Sequence, residues 1–334
     1  MPEKPIVIRG AGVAGLWQAL VLRRRGHEVI LLERSAEPFG SSCSAQAGAM
    51  LAPYCEREAS DELVLQLGVR GIELWRDVYP DLQCAGSLVV AQPRDRRELD
   101  RFARLTRGHE RLDGDQLGER EPDLAGRFAG ALFYPGEAHL EPLAALGYLL
   151  EAVREAGAEI RFGTAEPPKA RARLIDCRGL AARDELDGLR GVRGERAVIA
   201  TGEIELHRPV RLLHPRFPIY VVPWSGGRLM VGATQIESEA MTGVGVRSAL
   251  ELLSTAYALH PALGEAEIVS LDAGLRPAFP DNRPRIVVRG DDIYVNGLYR
   301  HGFLLAPVLA ELVADHIETG AEHSEVFGAD PDQR

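Results

Sequence analysis

VIRGAGVAGLWQALVLRRRGHEVILLER, residues 7–34, is the stretch whose reading decides the fold. Residues 5–9 form a short apolar run, the mark of a buried strand. A glycine-rich turn follows, and then Val13, Leu16, Trp17 and Leu20 recur at the spacing of a helix face. Gly26 suits the position just past that helix, and Val29 to Leu32 reads as a second strand. Such a compact βαβ unit opens a doubly wound sheet. Inside it lies Gly10-x-Gly12-x-x-Gly15, directly after a strand and before a helix. Its first glycine allows a tight turn, its second admits a pyrophosphate, and its third lets helix and strand pack closely. Free N–H groups at the helix start then face a diphosphate. Glu33 ends the second strand, where a carboxylate can hold a ribose hydroxyl pair and disfavours a 2′-phosphate. The motif therefore predicts FAD or NAD rather than NADP, and does not choose between the two.

The chain has 334 residues, enough for two interlocked domains. Acids outnumber bases by 49 to 39, a net charge of −10, which argues against a nucleic-acid partner. The longest basic run, Arg23-Arg24-Arg25, falls at the predicted helix end, where cations suit the helix dipole. Cys43, Cys55, Cys84 and Cys177 form no CxxC pair and no HxxxH pair helps, so no metal site is expected. The same spacing gives no disulfide framework, which makes a reducing cytoplasm the expected compartment. No signal-peptide pattern is seen at the N-terminus. The apolar stretch from Phe303 to Ile317 is interrupted by Pro307, Glu311 and Asp315, so no membrane span is expected.

Beyond the first unit, residues 61–77 and 141–156 have helical periodicity, and 94–120 reads as exposed helix and loop. Strands are expected at 87–91, near 160 and at 174–177. FPIYVVP and RLMVGAT flank a Ser225-Gly226-Gly227 turn, a hairpin. A helix is expected from about Ser248 to Leu259, then a strand pair around Gly290, and a last helix from about Pro307 to Ile317. The small-residue stretch from Ser42 to Met50 lets backbone approach a ligand closely. It tips the balance to FAD, whose extended arm needs more donors than one turn supplies.

At this point four blocks resemble the FAD-dependent D-amino-acid oxidase superfamily, most closely the thiamine-pathway glycine oxidases. They are the N-terminal fingerprint, SAQAGAMLAPY, PIYVVPWSGGRLMVGAT, and AGLRPAFPDNRP with YVNGLYRHGFLLAP. The resemblance implies an α/β architecture: a doubly wound, Rossmann-like FAD-binding domain and an α+β substrate domain around an antiparallel sheet. The expected division is 1–82, 137–205 and 272–334 for the first, and 83–136 and 206–271 for the second. It further implies non-covalent FAD, with Gly10, Gly12, Val13, Ala14 and Gly15 at the diphosphate and Glu33 and Arg34 at the adenosine ribose. Ser42, Cys43, Ala47, Gly48 and Ala49 resemble a second flavin-contact loop. Leu298, Tyr299, Arg300, His301, Gly302, Phe303 and Leu304 resemble the loop that closes over the flavin's pyrimidine edge. Pro307 suits the first turn of the final helix, so that loop would aim N–H groups at the flavin. The family's adenine contact would fall near Ala165 or Glu166.

On the substrate side, the resemblance gives Arg276 the role of clamping a carboxylate, by bidentate geometry that lysine lacks. Tyr220 faces the same carboxylate, and Arg300 contacts substrate through its backbone carbonyl. His301 replaces the asparagine common in relatives and is expected to face solvent. The implied reaction is oxidative deamination of a small amino acid, glycine first, with dioxygen as the final acceptor and hydrogen peroxide as product. The cofactor drives the hydride transfer, so no separate catalytic acid or base is required. The resemblance leaves room for a homo-oligomer. Competing readings are a D-amino-acid or sarcosine oxidase or dehydrogenase, a non-catalytic flavin-binding protein, and an NAD-dependent dehydrogenase.

Overall fold

The computed structural model describes residues 5–40, 42–164, 166 and 172–328. Ala165, one of two positions for the adenine contact, lies outside the described residues, as does most of the tail after Phe327. Two sheets organise the chain. The first has seven strands in the order 327–328, 285–289, 292–296, 173–176, 6–9, 29–33 and 159–162. Its five strands from 292–296 to 159–162 run parallel, and the 285–289 strand pairs antiparallel with 292–296. The strand Ile6–Arg9 is buried almost throughout, and so is Val29–Glu33, as a parallel sheet covered on both faces requires.

Three helices pack on one another here, the first of them directly on the sheet, and position the site. The first, Val13–Arg24, ends at Arg25 with Gly26 at φ 92°, the left-handed stop its sequence position predicts. The second, Glu62–Val78, is capped by the Asp61 side chain, which accepts from the Val64 N–H at 3.2 Å. The third, Gly302–Thr319, is almost wholly buried in its first half. Trp17 meets Trp75 edge-on at 5.0 Å, and Trp75 stacks on Phe303 at 6.0 Å. Gly71 lies so close to the Leu304 carbonyl that any side chain there would collide with it.

The last helix begins at Gly302, five residues before the start expected from Pro307. Proline inside a helix removes one N–H donor, here the one that would serve the Phe303 carbonyl. The Trp75 indole N–H donates to that carbonyl instead, at 2.6 Å in the buried interior. A tertiary contact thus replaces the missing backbone bond, which a local reading of the sequence cannot see.

The second sheet has eight strands in the order 267–278, 190–200, 228–232, 219–224, 210–213, 87–91, 130–134 and 110–113. Every pair in it is antiparallel except 210–213 with 87–91. The hairpin expected at 217–234 forms its centre, with Tyr220 opposite Gly232. Arg190–Ala200 hydrogen-bonds within this sheet, although the division expected from sequence puts residues 190–200 with the FAD-binding part. Glu110–Asp113, expected as helix or loop, is the far edge strand, and its charged residues suit an unpaired edge. Phe102, Leu117, Leu132 and Leu212 are among the residues buried beneath this half.

Trp75→Phe should lower stability by about 1–3 kcal/mol, because it leaves the Phe303 carbonyl buried without a donor. In a Pro307→Ala background residue 307 regains its own N–H, so the same change should cost less. Denaturant unfolding of the four proteins in that cycle measures the difference. Equal costs in both backgrounds would refute the substitution of one donor for the other.

Candidate active site

The parallel strands end along one edge of the first sheet, and a cleft of about 750 Å³ opens there. Such an edge is where ligands bind in doubly wound sheets. Arg9 and Gly10, Leu32 and Glu33, Cys177 and Arg178, and Val295 and Asn296 all reach it from strand ends. Gly10 adopts φ 96°, and a side chain on it would press on the Cys177 carbonyl at 2.7 Å. A side chain on Gly15 would collide with the Gly10 carbonyl, so helix and strand touch there through backbone. One on Gly12 would come within 3.3 Å of the Ser42 and Ser44 hydroxyls and narrow the passage.

The Glu33 carboxylate accepts the Ala11 N–H at 2.9 Å and the Ser35 N–H at 3.0 Å. Each oxygen keeps a further lone pair for a hydroxyl, so the glycine turn and a ribose can share it. Val13 at the helix start donates to the Ser44 hydroxyl at 3.2 Å, which ties the loop after residue 42 to the glycine turn. Arg34 is exposed at the rim, and Ala14, Ser42, Cys43 and Leu298 complete the predicted residues along the cleft. The residues present fit FAD: the cleft has close backbone at its glycine turn, which would suit a diphosphate, and an acid at Glu33, which would suit a ribose.

Beside the cleft is a cavity of about 110 Å³, bordered by Val13, Cys43, Tyr299 and Gly302, which also border the cleft. Ala47, Gly48, Ala49, Tyr220, Arg276, Arg300, Phe303 and Leu304 surround it. Predicted cofactor and substrate residues thus converge from five distant segments. Gly15 packs beneath the cleft without lining it. The N–H groups of Gly302, Phe303 and Leu304 are the first of the final helix and have no partner in a preceding turn. The earlier helix start puts these donors at the cavity wall, with the positive end of the helix dipole behind them.

Arg276 is carried by Glu267–Ala278, which pairs along its length with Arg190–Ala200. Gly194 faces Gly274 across this ladder, and without a side chain at Gly194 the Arg276 guanidinium can lie over the backbone. Arg276 donates to the Thr234 carbonyl at 3.0 Å and has no acidic partner among the described residues. Burial pulls its pKa down from the usual arginine value, which is the cost a ligand anion would relieve.

His301, expected to face solvent, is 5% exposed, and its Nε2 lies 2.9 Å from the Glu56 carboxylate. It lines neither space. The Arg300 guanidinium donates to the other Glu56 oxygen at 2.7 Å, so both residues meet on one carboxylate. Burial pushes the Glu56 carboxyl up, but Arg300 and then His301 outweigh it and hold it below the usual range.

Sequence reasoning missed Glu56 and Arg196. Arg196 donates to the Ala47 carbonyl at 2.7 Å and the Ala45 carbonyl at 3.3 Å, fixing the loop 42–50 from the second sheet. No periodic signal points to it, because arginine, glutamate and glycine break the apolar pattern of residues 190–200. Beneath the helix Pro53–Glu56, the buried Glu137 accepts from the Cys55 N–H at 2.7 Å and from the Ser87 hydroxyl. Burial pushes Glu137 up to about 7.

Comparison with known proteins agrees over almost the whole chain. The family model described as FAD dependent oxidoreductase matches residues 5–316. A protein of Rhizobium etli described as a thiamine biosynthesis oxidoreductase, ThiO, is 50% identical, covering 94% of this chain and 96% of its own. The glycine oxidase of Geobacillus kaustophilus is 28% identical, covering 94% of this chain and 92% of its own. The solved glycine oxidase of Bacillus cereus superimposes with a TM-score of 0.81 at 24% identity, covering 97% of each chain, and shares the fold.

Glu137 gives a pH prediction. Between its ordinary value of 4.5 and about 7, the folded protein holds a proton that the unfolded chain has lost. Stability should therefore fall as pH rises through that window, and Glu137→Gln should flatten the fall. Denaturant midpoints measured across the window check this; parallel curves for the two proteins would refute it.

Proposed function

The chain belongs to the FAD dependent oxidoreductase family, and from that premise we propose that it oxidatively deaminates a small amino acid, glycine first. FAD is its cofactor and supplies, when bound, a hydride acceptor that dioxygen reoxidises with release of hydrogen peroxide. The observation that carries the substrate reading is Arg276: a half-buried guanidinium at the cavity with no acidic partner among the described residues. A substrate carboxylate supplies the missing anion through two parallel N–H contacts.

In this reading Tyr220 donates its hydroxyl to the same carboxylate from the strand 219–224 of the same sheet. The Arg300 backbone carbonyl accepts an N–H from the substrate amine, since its guanidinium is occupied by Glu56. These contacts fix the orientation of the Cα–H bond, and orientation is most of what the protein must contribute. The first N–H groups of the final helix would stabilise the negative charge that the bound cofactor gains on reduction. Met50, Tyr220 and Met230 crowd the cavity, which favours glycine over larger D-amino acids. The product is an imine, which water converts to the 2-oxo acid with release of ammonia. The 50% identity to a thiamine biosynthesis oxidoreductase supports use of that imine in forming the thiamine thiazole.

Arg276→Ala should raise the glycine KM by roughly 100-fold, the scale of losing a partly buried charged pair, while FAD stays bound. Arg276→Lys should recover only part, because a point charge does not reproduce the fork. Peroxide release gives the kinetics and flavin absorbance reports cofactor content. An unchanged KM in Arg276→Ala would remove the clamp role.

A further inference from the structure

Three arginines line the small cavity: Arg196, Arg276 and Arg300. Arg196 pairs with Asp272 at 3.2 Å, and Arg300 pairs with Glu56 at 2.7 Å. Arg276 alone of the three has no carboxylate among the described residues. The protein thus matches two of these charges and leaves one for a ligand. Glu56 borders the cavity and is 15% exposed, so it faces whatever enters. One of its oxygens is held by Arg300 and the other sits 2.9 Å from His301 Nε2. It cannot swing aside without losing both contacts.

We propose that Glu56 determines specificity: by occupying Arg300 in place, it restricts the site to ligands with one carboxylate and rejects those with a second. This rests on the reading that Arg276 takes the first carboxylate. A second carboxylate reaching toward Arg300 meets Glu56 already there, and like charges in a partly dry site repel strongly. Rejection by a built-in repulsive group is a common route to specificity, because it acts on the unwanted ligand only. Glu56→Gln keeps an oxygen for Arg300 and removes the charge, so Arg300 becomes free to attract an anion.

The test uses the FAD-loaded protein and two unreactive probes, acetate and malonate, titrated calorimetrically at fixed salt. Wild type should bind acetate more tightly than malonate. Glu56→Gln should shift the malonate-to-acetate affinity ratio toward malonate by roughly tenfold or more. Adding Arg300→Gln to Glu56→Gln should abolish that shift. Glu73→Gln removes an exposed carboxylate that pairs with Arg70 and borders neither the cavity nor the cleft, and should leave the ratio as in wild type. If Glu56→Gln does not fold, Arg300→Gln alone serves: it leaves Glu56 unopposed and should move the ratio further toward acetate. The proposal is overturned if Glu56→Gln keeps the wild-type ratio, if Glu73→Gln shifts it equally, or if Arg300→Gln alone does not move it. If wild type binds neither probe and Arg276→Ala changes nothing, the carboxylate reading itself has failed, an outcome distinct from the failure of Glu56 alone.

Discussion

Backbone contact between Gly15 and the Gly10 carbonyl is the constraint on which the rest of the molecule depends. It brings the first helix against the first strand without an intervening side chain. The helix start then sits at the strand ends, where the cleft opens, and its other surface receives the Trp75 and Phe303 cluster. That cluster fixes the final helix, whose first N–H groups border the cavity. A single methyl at Gly15 would separate these layers. Close packing transmits such a shift, because interiors hold little free space to absorb it.

Much of this was legible in the sequence where the signal is local. Glycine spacing, helical periodicity and the acid at Glu33 lie within one supersecondary unit, and the structure forms that unit at the expected residues. The hairpin around Ser225-Gly226-Gly227 was legible for the same reason. The paired strands 190–200 and 267–278 were not, because arginine, glutamate and glycine interrupt their apolar pattern. Those interruptions are the residues that build the cavity wall: Gly194, Arg196, Gly274 and Arg276.

Where partners are far apart in the chain, residue type alone misled. His301 reads as a solvent-facing loop residue until Glu56, 245 positions away, is placed beside it. Pro307 reads as a helix start until Trp75 is seen donating to the carbonyl that proline leaves unserved. Arg276 and Arg300 look alike in sequence, yet one is paired and the other is not. Which arginine can take a ligand is a property of the charge balance around the cavity, and it emerges only once both sheets are assembled.

The most direct measurement is an anaerobic titration of the FAD-loaded protein with glycine, sarcosine, D-alanine and D-proline, following flavin absorbance. An amino-acid oxidase whose cavity arginine, Arg276, has no acidic partner among the described residues should be bleached by glycine, and more readily than by the bulkier amines. Retention of the oxidised flavin spectrum with all four would contradict the account.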